Sequence, residues 1–211
     1  MGNTFSYRKS LQTASMLMIM VLAPVGCAIK KGTINSYIDP TYISGNIKTI
    51  AFFPIRNARL APSEARQLNR QLSQEMAKKN PDIKIVPPSK SLRLINNSGL
   101  AHDWSDFVED FYTSGIPDRV VLRKISKALN VDAVFQGQLE NVFQTDMVPF
   151  TTDAMTRITV SFSIIEAHTA KVIWESTADG IRSVKGFETA PPIKDAIDLA
   201  IQKVKTNMPL L

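Results

Sequence analysis

From Ile47 onward, apolar residues recur at two different spacings, and their alternation predicts a mixed order of strands and helices. Ile47 to Ile55 reads IKTIAFFPI, a short β-branched and aromatic run typical of a buried strand. Between Pro62 and Lys79, Ala65, Leu68, Leu72 and Met76 share one helical face, and Asn80-Pro81 stops the helix. Ile83 to Val86 is a second short strand, cut by Pro87-Pro88. Ser89 to Asn96 is a short helix that ends near Gly99.

The stretch Asp103 to Tyr112 has the most individual pattern. Trp104, Phe107, Val108 and Phe111 fall at i, i+3, i+4 and i+7, with Asp106, Glu109 and Asp110 elsewhere on the wheel and Asp103 as the expected N-cap. After Gly115-Ile116-Pro117, Asp118 caps a helix carrying Val121, Leu122, Ile125 and Leu129, closed by Asn130. Three strands follow. Val131 to Phe143 contains Gly137, the mark of a bulge or of a close approach. Ile158, Val160, Phe162 and Ile164 alternate with Arg157, Thr159, Ser161 and Ser163, and Val172 to Ala178 returns across a short loop with Trp174 packed on the sheet. Pro191 to Met208 is a closing helix with Ile193, Ile197, Ala200, Ile201 and Val204 on one face. This order is that of a single-domain α/β sandwich, a mixed sheet of about five strands covered by helices. The sequence contains no internal repeat.

Upstream the pattern changes. Arg8 and Lys9 precede an apolar run from Met16 to Ala23, and Val25-Gly26 lead into Cys27, the single cysteine of the chain. That is the layout of a secretory signal. The run is far shorter than the ~20 residues that span a bilayer, so it is no transmembrane anchor. A rival anchor is N-myristoylation, whose short pattern matches Met1-Gly2-Asn3-Thr4-Phe5-Ser6, but that leaves Met16 to Ala23 unexplained. Ala28 to Asn46 is polar and interrupted by Gly32, Asn35, Pro40 and Gly45, and reads as a tether that reaches roughly 60 Å when extended. The expected division is therefore a signal over 1–26, Cys27 with its tether over 27–46, and the domain over 47–211.

Composition adds limits. With 44% hydrophobic and 21% charged residues the chain is globular in character, and one cysteine allows no internal disulfide. The net charge of +6 includes Arg8 and Lys9, which leave with the signal. There is no basic block and no aromatic-basic RNA signature, so nucleic acid is not expected as a partner.

Residues 1–27 resemble a bacterial lipoprotein signal. The lipobox is cut before its cysteine, and here it reads Pro24-Val25-Gly26-Cys27, with Pro24 where leucine is usual. The resemblance implies a diacylglyceryl group on Cys27, and no other cofactor. Ala28, in place of an aspartate, implies the outer membrane, facing the periplasm. Further on, IKTIAFFPI, ALNVDAVFQGQLENV and VSFSIIEAHTAKVIWES resemble the amino-terminal domain of TolB, a design shared by envelope lipoproteins such as CsgG and the activators of penicillin-binding proteins. The resemblance covers about residues 47–207. Its hairpin turn usually carries glycine where this chain has Ala170, so a different turn geometry is expected here. What it implies is a periplasmic adaptor or assembly factor without catalysis.

Reactive groups are sparse. His102 and His168 lie far apart, and no HExxH, GxSxG, phosphate-loop or zinc-type spacing occurs. Asp103, Asp106, Glu109 and Asp110 lack the spacing and central glycine of an EF-hand loop and read as a solvated helical face. Trp104, Phe107, Phe111 and Tyr112 are either core or a partner-docking surface, with Tyr112 the best placed for exposure. No metal site is expected. The leading expectation is a lipid-anchored adaptor that binds another envelope protein. A ring-forming subunit of an export apparatus stands behind it, and an envelope hydrolase last. The inserts 144–155 and 180–190 are too short for the hairpins of a pore.

Overall fold

The computed structural model describes residues 29–57, 59–148, 153–185 and 189–211. The signal, Cys27 and the lipobox lie outside the described residues. Among the described residues six strands form one mixed sheet in the order β1-β6-β5-β4-β2-β3. They are β1 (Ile29–Ile38), β2 (Thr49–Phe52), β3 (Lys84–Val86), β4 (Ala133–Thr145), β5 (Ala154–Glu166) and β6 (Lys171–Val184). The helices among the described residues are α1 (Pro62–Lys79), α2 (Pro88–Asn97), α3 (Ala101–Ser114), α4 (Arg119–Leu129) and α5 (Ile193–Asn207). β2 runs parallel to β3 and β4, as helical crossovers require, while along β4, β5, β6 and β1 each strand is antiparallel to its neighbour.

Period-two alternation divides the core between the two faces of the sheet. On one face, Leu68, Leu72 and Met76 of α1 and Ala196, Ile197, Ala200, Ile201 and Val204 of α5 pack on Phe52, Phe135, Ile158, Phe162, Ile164 and Trp174. On the other, Ile95, Phe107, Phe111, Leu122, Ile125 and Leu129 from α2, α3 and α4 cover Ala51, Phe53, Val134 and Ile165. Helices on both faces of a mixed sheet make this the expected α/β sandwich, with six strands rather than about five.

The additional strand is β1, formed from the segment expected to be tether. Its ten residues pair antiparallel with β6 from Ile29↔Ser183 to Ile38↔Trp174. Because β1 is an edge strand, most of its side chains face water, and Ile34 alone packs against the core. Ile29, Ile34, Tyr37 and Ile38 are its apolar residues, and their spacing of five, three and one gives no readable period. Gly32 and Gly180 face each other across this pair, and α5 lies against both.

Other local expectations resolve in the same physical terms. Asp118 caps α4, its Oδ1 accepting from Val120 N–H at 2.7 Å and Val121 N–H at 3.0 Å, and Asn130 ends the helix with φ 53°. Asp103 is not an N-cap: α3 begins at Ala101, placing Asp103 in its first turn, 3.4 Å from Lys124 Nζ. Gly137 marks a close approach, since a methyl there would stand 2.2 Å from Phe162 Cδ1. The break in register falls later, between Leu139 and Asn141. Ala170 takes φ +61°, so the β5–β6 turn keeps its left-handed residue despite the missing glycine.

Candidate functional site

The four aromatic residues of α3 point into two different environments. Phe107 and Phe111 are 1% and 4% exposed and belong to the core under α2, α3 and α4. Their rings are closed to any partner, which removes them from the expected docking surface. Helical geometry explains this: they lie four residues apart on the stripe facing the sheet. Trp104 and Tyr112 lie at either end of that stripe and are half-buried. The Trp104 ring stacks on Phe53 with centroids 3.5 Å apart, and Tyr112 leans against Phe111 at 5.7 Å with the rings tilted by 59°.

Between these two rings and the sheet lies a cleft of about 290 Å³. Pro54 and Arg56, from the chain leaving β2, form one wall. Trp104, Ser105, Val108, Glu109 and Tyr112 of α3 form another, and Gln136 with Gly137 of β4 is the floor. Arg56 N–H donates to Gly137 O at 2.9 Å and Leu139 N–H to Arg56 O at 2.9 Å, fixing wall to floor through backbone.

Gln136 is the unusual member. It is 2% exposed, yet neither its Nε2 nor its Oε1 meets a hydrogen-bond partner among the described residues. A buried unpaired polar group costs about 1–3 kcal/mol, so an orphan primary amide on a cleft floor is a feature that binding can offset. Above it, burial raises the Tyr112 hydroxyl well beyond the ordinary phenol range, with Glu140 adding to the effect. The phenol therefore stays neutral, able to donate as well as accept. Arg56 and Glu109 are exposed at the rim.

Beyond the cleft, on the same face, β5 and β6 present Thr159, Ser161, Ser163, Glu175, Thr177 and Asp179. Thr159 Oγ1 donates to Asp179 Oδ1 at 2.7 Å. Sequence reasoning identified Trp104 and Tyr112 but missed Arg56 and Gln136. The available signal was Gln136 itself, a glutamine directly after the apolar run Ala133 to Phe135. His102 and His168 are both exposed and remain apart from the cleft, His102 beside Asp106 at 3.5 Å. Among the described residues no three His, Cys, Asp or Glu side chains gather as a metal site would require, and no helix is long and apolar enough to cross a membrane.

No protein-family model matches the chain, and no curated protein does. Among solved structures it is similar to the PelC dodecamer from Paraburkholderia phytofirmans, at 16% identity and TM-score 0.45, over 82% of this chain and 94% of that one. It is also similar to lipoprotein GNA1162 from Neisseria meningitidis, at 12% identity and TM-score 0.39, over 75% of this chain and 99% of the other. The LpoB C-terminal domain from Salmonella enterica is similar at 12% identity and TM-score 0.41, over 66% of this chain and 85% of that domain. Likeness at this level transfers no role to this chain.

Proposed function

We propose that this chain is a lipid-anchored, non-catalytic envelope protein whose α/β domain docks an extended segment of another envelope protein in the α3–β4 cleft. The observation that carries the reading is the unpartnered amide of Gln136 beneath Trp104 and Tyr112. An extended residue presents its N–H and C=O on the same strand edge, matching the donor and acceptor of a glutamine amide. The two aromatic rings supply apolar walls for a neighbouring side chain, and the rim charges of Arg56 and Glu109 set its register. The anchor follows from the signal layout ending at Cys27. Anchoring raises the local concentration of the domain at the membrane, so a weak contact suffices.

A photo-crosslinking residue at Ser105, on the cleft wall, is expected to capture an envelope protein in intact cells, and Trp104→Ala to abolish that capture. Equal capture from an exposed α1 position such as Lys78 would overturn the cleft as the contact. Cys27→Ser is expected to release the protein from membranes, and undiminished binding would place the anchor elsewhere.

Self-association is a second reading, favoured by one observation: the outer edge of β1 has no strand partner among the described residues. Sizing the released Cys27→Ser protein separates the two readings, since a large assembly supports the ring and a monomer the adaptor.

A further inference from the structure

The geometry points to one end of the sheet as a membrane-apposed surface: the rim where β1 begins lies against lipid headgroups, and the cleft is carried away from them. The inference rests on lipidation of Cys27, as proposed above. Cys27 stands two residues ahead of Ile29, the first residue of β1. Two residues span at most about 7 Å, whereas the irregular tether expected from sequence would have reached roughly 60 Å. A rigid domain on so short a leash cannot stand off or tumble freely.

Strand register shows what else shares that end. Ile29 pairs with Ser183, Val184 with Ala154, and Met155 with Thr145, so the ends of four neighbouring strands form one rim. Lys30, Lys31 and Lys185 are exposed there, Arg182 is half-buried beside Lys30, and Ile29 is 50% exposed. Carboxylates share the rim as well: Asp195 and Asp198 of α5 line a cavity with Lys30 and Arg182, Asp198 being paired with Lys194 at 2.6 Å. Asp146 accepts from Ala190 N–H at 2.8 Å, and Asp153 is half-buried. Lys30, three residues from Cys27, lies at most about 10 Å from the anchor, close to one Debye length, ~8 Å at physiological ionic strength, so anionic phosphate attracts it. Ile29, two residues from the anchored Cys27, meets the acyl boundary.

The opposite end differs. It carries the β5–β6 turn over Ala167–Ala170, the start of β4, and the ion pair of Asp39 with Lys171. Gln136 lies nine positions back along β4 from Thr145, about 30 Å at the ordinary strand rise. A rim-down domain therefore presents its cleft to proteins standing well off the bilayer. A domain lying on its β1 edge would present the cleft sideways.

The test uses the lipidated full chain in phosphatidylcholine vesicles containing phosphatidylglycerol and a nitroxide-headgroup lipid. The native thiol is acylated, so an added cysteine is the single labelling site. Fluorophores go at Thr189→Cys on the rim, Tyr37→Cys near the far end of β1, and His168→Cys at the far turn. Fluorescence lost at position 189 and kept at 37 and 168 supports the rim-down arrangement. Equal quenching at 189 and 37 overturns it in favour of the edge-down one. A vesicle-bound protein quenched nowhere overturns apposition altogether. A protein that does not bind vesicles overturns the anchor reading instead, and the inference with it. A flexible Gly-Ser insert between Ala28 and Ile29 is expected to abolish quenching at 189 while membrane binding persists. Unchanged quenching with the insert would overturn the short leash as the cause.

Discussion

Gly180 of β6 lies directly under the backbone of Ala196 in α5: a methyl on Gly180 would stand 1.8 Å from Ala196 O and 2.8 Å from its carbonyl carbon. No rotamer relieves a clash with backbone. The helix rests on the sheet through small residues, Ala196 and Ala200, above the Gly32–Gly180 pair. Gly180→Ala is therefore expected to push α5 off the sheet and destabilise the fold by about 3 kcal/mol. At Gly32 a methyl would meet Leu199 O and the flexible Lys203 side chain at 3.1 Å, and the expected loss is about 1 kcal/mol. Urea unfolding midpoints at constant slope measure both, and a Gly180→Ala midpoint equal to wild type would refute the close packing.

Ala170 sits at φ +61° in the turn between β5 and β6. A left-handed conformation costs a residue with a Cβ about 1–2 kcal/mol, and glycine forfeits about 0.5–1 kcal/mol through its freer unfolded chain. The balance favours glycine: Ala170→Gly is expected to stabilise the protein by about 0.5–1 kcal/mol. Ala170→Val should shift it the other way, because β-branched side chains tolerate this region least. Thermal melts of the two variants should move in opposite directions.

Asp39, just past β1, receives Lys171 Nζ at 2.8 Å, together with the Thr41 N–H and hydroxyl, each at 2.7 Å. Lys171 and then Thr41 hold its carboxyl down from 3.8 to about 2. Between those values the unfolded chain binds the proton first, so stability falls as pH falls. The contribution is fully present above about pH 4 and lost as pH passes down through about 2. Asp39→Asn removes this part of the acid sensitivity. Urea midpoints measured across that window should therefore fall less steeply for the variant, and parallel slopes would sink the assignment.

Residues whose surroundings are local in sequence were legible from the chain. α1, α4 and α5 follow from 3.6-residue spacing, and Asp118 and Asn130 from cap chemistry that acts within one helical turn. The alternation in β5 gave its two faces directly. What escaped was set by contacts distant in sequence. β1 is a strand because β6, some 140 positions on, supplies its hydrogen bonds, and an edge strand needs little apolar character to accept them. Asp103 resembles a cap, but Lys124 of α4 engages it instead, and the helix starts two residues earlier. The cleft was half-visible: helical spacing found Trp104 and Tyr112 but could not say which of four aromatics the neighbouring helices cover. Arg56 and Gln136 reach it only through the pairing of β4 with the chain after β2.

Gln136 allows stability and docking to be separated in one position. Gln136→Met keeps the length of the side chain and removes an amide that has no partner among the described residues. A buried unpaired amide costs about 1–3 kcal/mol, so the variant is expected to unfold at higher urea, by about 1 kcal/mol. The same change removes the donor and acceptor offered to an extended segment, so crosslinking from Ser105 should fall even as the fold strengthens. Gln136→Glu should do the reverse to stability, since the carboxylate is charged at neutral pH and sits where the amide is 2% exposed. A Gln136→Met protein that is both more stable and fully competent in crosslinking would show that the amide is dispensable for binding. A less stable one would show that the folded protein already satisfies it.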